Sequence, residues 1–243
     1  MTVGIVGYGS FGKLCAQVIS KYAPVLVYDK NLVDLEFPIG VKQASFARVA
    51  ACNIIFICVG LASLEKVCER LKQNVSPSTI TIDVCATKIK SIKIMKKHLL
   101  GHCQLLSVHP LFGPQTIKNS LIRGKSIVFF PIKLDNLKKF ETFLTQQLGL
   151  NVIKMSPEEH DREMAWVHGL TFFIGRGLLN LNLPKNKLTT GYYQQLLGLV
   201  ELEKGHSIEL FNEVQQGNPY AAEVRKKLFN QLNKLESEIE SAG

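Results

Sequence analysis

Residues 2–12 read TVGIVGYGSFG, from Thr2 to Gly12. Thr2 to Val6 is short, apolar and rich in β-branched residues, which is strand character. The chain then breaks on Gly7-x-Gly9-x-x-Gly12, and apolar residues follow at helical spacing (Leu14, Val18, Ile19, Tyr22). Val25 to Tyr28 reads as a second strand, and it ends at Asp29, 22 residues after Gly7. Gly7 permits a tight turn, Gly9 lets a pyrophosphate approach the backbone at the positive end of the helix, and Gly12 lets helix and strand pack closely. Glycine spacing, context and acid together predict a dinucleotide-binding βαβ unit. Tyr8, Ser10 and Phe11 lie between the glycines, Lys30 follows the acid, and Val59 ends a later strand. All are expected around the same cofactor. A carboxylate at Asp29 suits ribose hydroxyls and repels a 2′-phosphate, so NAD is favoured, while the neighbouring Lys30 keeps NADP possible.

Working outward, strands are expected at Ile54–Val59, Thr79–Ile82, Gln104–Val108 and Ser126–Phe130, with helices such as Leu64–Leu71 and Leu134–Leu148 between them. Continuous apolar strands alternating with helices mean a mostly parallel sheet covered on both faces, an α/β Rossmann domain over residues 1–155. The pattern changes at Ser156-Pro157-Glu158-Glu159, a helix start with a cap, a proline at the first position and acids in the first turn. A long helix runs from there towards Leu183, with a break at Leu183–Asn186. Gly191 to Phe211 is helical again with a kink expected at Gly198 or Gly205, and Gly217-Asn218-Pro219 is the next break. Val224, Leu228, Leu232, Leu235 and Ile239 then form one apolar stripe. Residues 156–243 are thus expected to be an all-helical domain for substrate binding and dimerisation.

The bulk composition narrows the function classes. Of 243 residues, 46% are hydrophobic and 20% charged, as in ordinary globular proteins. No run approaches the roughly 18 apolar residues of a membrane span. The N-terminus enters a strand directly, without a basic leader, so the expectation is cytoplasmic with no membrane partner. Six cysteines without a CxxC pair read as buried thiols. The formal charge of +9 is scattered and not interleaved with aromatics, which argues against nucleic acid and for anionic small molecules. No metal site is expected.

One further stretch, SVHPLFGP at 107–114, carries chemistry. His109 closes the fifth predicted strand, at the sheet edge that faces the ligand crevice in open α/β folds. Pro110 and Gly113-Pro114 fix the chain around it. Imidazole is the side chain whose ordinary pKa suits proton transfer near neutrality. His98, His102 and His206 stand in polar surroundings and read as surface residues.

The glycine fingerprint, Asp83-x-x-x-x-Lys88, HPLFGP at 109–114, EEHDREMA at 158–165 and GR at 175–176 together resemble the prephenate and arogenate dehydrogenases. The resemblance runs from Val3 to about Arg176, and more loosely through the tail. It implies oxidative decarboxylation of a cyclohexadienyl substrate, prephenate or arogenate, to 4-hydroxyphenylpyruvate or tyrosine. A hydride passes to the nicotinamide, the ring hydroxyl gives its proton to His109, and carbon dioxide leaves as the ring becomes aromatic. It also implies a homodimer through the helical domain. Three substrate-side positions depart from the family pattern. Ala86 stands where a serine is usual, with Thr87 beside it. Phe172 stands where a histidine is common, with His168 one turn earlier. Tyr220 stands where an arginine occurs, with Arg225 five residues on. Thr87, Lys88, His168 and Arg176 are therefore the expected substrate-binding residues. Two other readings stay open: a different Rossmann hydroxyacid dehydrogenase, which would rely on a lysine, and a catalytically silent NAD-binding regulator.

Overall fold

The computed structural model describes residues 1–31, 36–117, 119–184 and 186–242. Lys185, within the expected break at 183–186, lies outside them. The chain divides into two compact units, Met1–Pro157 and Glu158–Gly243.

The first unit runs β1 (Val3–Val6), α1 (Ser10–Ile19), β2 (Val25–Tyr28), β3 (Val41–Gln43), α2 (Phe46–Ala50), β4 (Ile54–Ile57), α3 (Leu61–Lys72), β5 (Ile80–Asp83), α4 (Lys88–Leu99), β6 (Gln104–Pro110), β7 (Ser126–Lys133), α5 (Leu137–Thr142) and β8 (Asn151–Ile153). All eight strands form one sheet in the order β3-β2-β1-β4-β5-β6-β7-β8. Its first six positions are parallel, and only the β6–β7 pairing is antiparallel. The order 3-2-1-4-5-6 is that of a doubly wound dinucleotide fold, whose strand direction of winding switches between β1 and β4. Side chains alternate between the faces. Ile57, Leu64, Leu71, Met95 and Leu105 fill the face under α2, α3 and α4, while Leu14, Val18, Ile82, Leu106 and Phe129 fill the other. Complete burial of a leucine such as Leu64 contributes about 2 kcal/mol.

The sheet is larger than the sequence pattern indicates. β3, α2 and β8 were not expected, and Gln104–Pro110 extends past the predicted end at Val108, so His109 sits inside the strand. The helix expected over 134–148 begins at Leu137 and turns π-helical over Phe143–Gln147. All six cysteines are thiols, five of them buried.

The second unit is helical: α6 (Pro157–Met164), a π-helical stretch at Ala165–Leu170, α7 (Thr171–Asn180), α8 (Gly191–Lys204), α9 (Ile208–Asn212) with a π-helical turn at Glu213–Gly217, and α10 (Ala221–Ala242). Of the two kink positions expected in 191–211, Gly198 lies inside α8 and Gly205 caps its end. No helix among the described residues is long and apolar enough to cross a membrane.

Candidate active site

The glycine turn explains itself sterically. Gly7 has φ +97°, and a Cβ there would lie 2.4 Å from the Cys58 carbonyl oxygen and 2.9 Å from Val59. A Cβ at Gly12 would lie 2.1 Å from the Gly7 carbonyl oxygen. Gly9 is different: nothing lies within 4 Å of where its Cβ would be. Two glycines are thus required by the protein's own packing, and the third leaves open space over the start of α1. That helix has no side-chain cap, so its first N–H groups suit an anion. This cradle fits a pyrophosphate. Asp29 ends the neighbouring strand and accepts hydrogen bonds from the backbone N–H of Tyr8 (2.7 Å) and of Asn31 (2.9 Å), which fixes its carboxylate beside the loop. Lys30 and Ser10 are exposed, whereas Phe11 turns its ring into the core, so only its backbone faces the loop. Tyr8 is buried against Phe37, ring centroids 5.4 Å apart, and burial pushes its hydroxyl pKa up.

Three strands along the same carboxyl edge, about 14 Å from β1, lies His109. It is 4% exposed and pairs in register with Val128 of β7. Beneath it is a buried polar network. Lys88 donates to Asp83 Oδ2 (2.8 Å), Ser107 Oγ (2.9 Å) and the Val108 carbonyl (2.9 Å). The Ser107 hydroxyl donates to the same Asp83 oxygen (2.7 Å), and Asp83 Oδ1 accepts from the Cys85 N–H (2.8 Å). Asp83, Lys88 and Ser107 are all 0% exposed. Burial pushes the Asp83 carboxyl up, but the Lys88 ammonium and the three hydrogen bonds outweigh it and hold the pKa below the ordinary carboxylate value. Lys88 was expected on substrate. Its ammonium is buried and directs donors at three protein acceptors, Asp83, Ser107 and Val108. Thr87, just before α4, is 1% exposed, and its hydroxyl oxygen is buried with no hydrogen-bond partner. Ala86 beside it is also buried.

The second unit holds its own cluster. Arg176 Nε donates to Glu203 Oε1 (2.8 Å), Nη2 lies 2.7 Å from the same oxygen, and Nη2 also donates to the His206 carbonyl (3.4 Å). His206 Nδ1 is 3.1 Å from Glu203 Oε2. Gly175 makes this possible, since a Cβ there would meet Glu203 Cβ at 3.3 Å and Leu199 at 3.4 Å. The rings of His168, Phe172 and His206 stack in sequence, with centroids 5.0 and 4.3 Å apart. Burial, aided by His206 and His160, lowers the His168 pKa to about 4, so the ring is neutral near pH 7. His206 is therefore a packed member of a cluster and not the surface residue expected. Likewise His98 sits 3.0 Å from Glu65. The His160-Asp161 pair of the EEHD motif is internal to this unit: Nδ1 lies 2.8 Å from Asp161 Oδ1, and Asn218 donates to the Asp161 carbonyl at 2.6 Å. Arg225 is committed to Gln215, and the Tyr220 ring carries the Arg162 guanidinium at 5.3 Å. Sequence reasoning missed Ser107 and Glu203. The first was legible as the residue two before His109 on the same strand face. Glu203 had no local signal.

A doubly wound sheet, an open glycine cradle with an acid at the second strand and a buried histidine on the same edge define the nucleotide-binding unit of a dehydrogenase. The model of the prephenate dehydrogenase nucleotide-binding domain matches residues 27–151, just over half the chain, and the protein belongs to that family. A TYRAAT1-like C-terminal domain matches residues 178–242. Arogenate dehydrogenase 1, chloroplastic, of Arabidopsis thaliana is 29% identical over 98% of this chain and 39% of its own length. A probable arogenate/prephenate dehydrogenase of Methanocaldococcus jannaschii is 26% identical over 98% of this chain and 56% of its own. The chain thus spans about 40 to 55% of the length of these relatives. Among solved structures, prephenate dehydrogenase from Aquifex aeolicus, in complex with hydroxyphenyl propionate and NAD+, has the same fold (TM-score 0.73, 20% identity, 99% of this chain and 92% of that one). Synechocystis arogenate dehydrogenase gives a TM-score of 0.63 at 18% identity over 99% of this chain and 93% of that one.

Proposed function

We propose that this protein catalyses the NAD-dependent oxidative decarboxylation of arogenate or prephenate, with His109 as the proton acceptor for the ring hydroxyl. The observation that carries the reading is the placement of His109 on the carboxyl edge of the sheet that holds the glycine cradle. Gly7, Gly9, Gly12, the first turn of α1 and Asp29 would hold the cofactor, and Tyr8, Ser10, Lys30 and Val59 surround them. When bound, the nicotinamide supplies the hydride acceptor. His109, fixed in β6, polarises the substrate hydroxyl and takes its proton, and the buried surroundings keep water from competing for that contact. Loss of carbon dioxide then yields an aromatic ring.

Asp29 supports NAD over NADP, because its carboxylate is locked at the loop and would repel a 2′-phosphate. Arogenate is the first substrate to offer, since both relatives above carry arogenate in their names. Thr87, whose buried hydroxyl lacks a partner, and Arg176, one fifth exposed beyond its Glu203 pair, are the residues we assign to substrate. His168, held neutral, is the further residue we assign to substrate, and its ring can donate or accept a hydrogen bond. We further read the protein as cytoplasmic and as a homodimer through α10, where Phe229, Leu232, Leu235 and Ile239 are each about half exposed.

The test is NADH formation with each substrate, for the native protein and for His109→Gln. We expect turnover that drops about 10²-fold or more in the variant with NAD affinity kept. NAD binding without turnover on either substrate would replace the enzyme by a nucleotide-binding regulator.

A further inference from the structure

We infer that Asp83, Lys88 and Ser107 form a buried charged platform that positions the His109 imidazole, with Lys88 as its central positioning residue. The inference rests on the reading of His109 as the proton acceptor, and it concerns residues that do not themselves touch the substrate.

The geometry runs as rows across the sheet. Asp83 pairs in register with Ser107, and Ser107 with Phe130, so these three lie in one row. His109 and Val128 form the next row of the same face, two residues nearer the carboxyl edge. Two residues of strand advance about 6.6 Å. Lys88 reaches this face from the first turn of α4, with its ammonium 6.0 Å from the Phe130 ring centre. Of its three contacts, one is the carbonyl of Val108, which enters the same peptide unit as the His109 N–H. The ammonium thus pins the backbone at the residue that carries the imidazole, while Asp83 and Ser107 pin the ammonium.

A core that needed only to be filled would be better served by apolar side chains, because two fully buried charges carry a desolvation cost that their attraction often fails to exceed. The network is complete, which is the condition under which such a group holds one geometry. Its location is also specific: it lies directly behind the one histidine on the carboxyl edge of this sheet. In the row behind it on the same face stand Asp83 from β5 and, bonded to it, Lys88 from α4, and β7 presents Val128 beside His109.

The experiment reads the imidazole itself. His109 is assigned in the NMR spectrum of the full chain by comparison with His109→Gln, and its titration is followed in the native protein and in Asp83→Asn. Asn keeps the shape and leaves the Lys88 charge uncompensated one row away. The His109 titration should therefore move down by about one pH unit, and the acid limb of kcat/KM with it. Ser107→Ala keeps both charges and removes one tether. There kcat should fall several-fold at unchanged KM and unchanged NAD affinity, with Ser107→Thr restoring it. An imidazole that titrates as in the native protein, or a Ser107→Ala enzyme with native kcat and a lowered melting temperature, would reduce the trio to a core ion pair. The two readings separate cleanly. A shifted imidazole with native turnover in His109→Gln upholds the platform and removes the base assignment. An unshifted imidazole with an inactive His109→Gln does the reverse.

Discussion

At the scale of single residues, two side chains make opposite electrostatic statements. Asp29 is a partly buried carboxylate held by two backbone donors beside the glycine loop. On the proposed assignment of Asp29 to the cofactor ribose, replacing it with Ala removes about 1–2 kcal/mol of hydrogen bonding. NAD affinity should fall roughly tenfold while NADP affinity stays level or rises, as read by nucleotide fluorescence titration. His168 is the reverse case, a base kept from its proton. Its folded pKa is near 4 against 6.5 in the unfolded chain. As pH falls from about 6.5 to 4 the unfolded ring gains a proton that the folded ring refuses, so stability drops through that window and levels off below it. The loss is on the order of 3 kcal/mol. Urea midpoints measured at pH 7 and pH 4.5 should differ markedly in the native protein and much less in His168→Phe, which keeps a ring against Phe172.

At the scale of elements, α1 shows how little freedom the glycine turn leaves. Gly12→Ala pushes a methyl into the Gly7 carbonyl, and either the helix start or β1 must move. We expect a destabilisation of about 2 kcal/mol or more, together with loss of NAD binding, in a thermal-shift titration. The elements with a strong signal were legible: β1, β2, β4, β5 and β6 are short, mostly apolar segments with buried aliphatic residues, and α6 carries a complete start signal at Ser156-Pro157-Glu158-Glu159. β3 was not, because Val-Lys-Gln buries only Val41 and shows no alternation. Asn151–Ile153 is three residues long with none fully buried, so β8 likewise has no pattern to read. The place of His109 at the end of its strand was legible from its two prolines and its apolar run. The buried trio behind it was legible only as the motif Asp83-x-x-x-x-Lys88, with Lys88 expected on substrate, since only the sheet register places both residues against Ser107. Arg176 and Glu203 meet only through the close approach of α7 and α8 at Gly175, a contact between residues 27 apart that no local spacing encodes.

At the scale of the whole molecule, the positive charge and the fold point the same way. A formal net charge of +9 on a small protein raises the local concentration of anionic ligands, and both candidate substrates and the dinucleotide are anions. Raising the salt from about 50 to 500 mM should weaken NAD and substrate binding several-fold with kcat little changed, measured by initial rates across ionic strength. The order of strands has a kinetic consequence as well. β6 and β7 join residues 17 apart at Pro110 and Ile127, whereas β1 and β4 join Val3 to Ile54, 51 apart. The long closure at the switch point delays the pairing that completes the glycine cradle, because non-local contacts form only after the chain entropy of the loop has been overcome. The nucleotide then has nothing to bind until the barrier has been crossed. In stopped-flow experiments NAD should leave the refolding rate unchanged and slow unfolding in proportion to its occupancy, so the cofactor acts as a brake on leaving the native state and not as a template for reaching it.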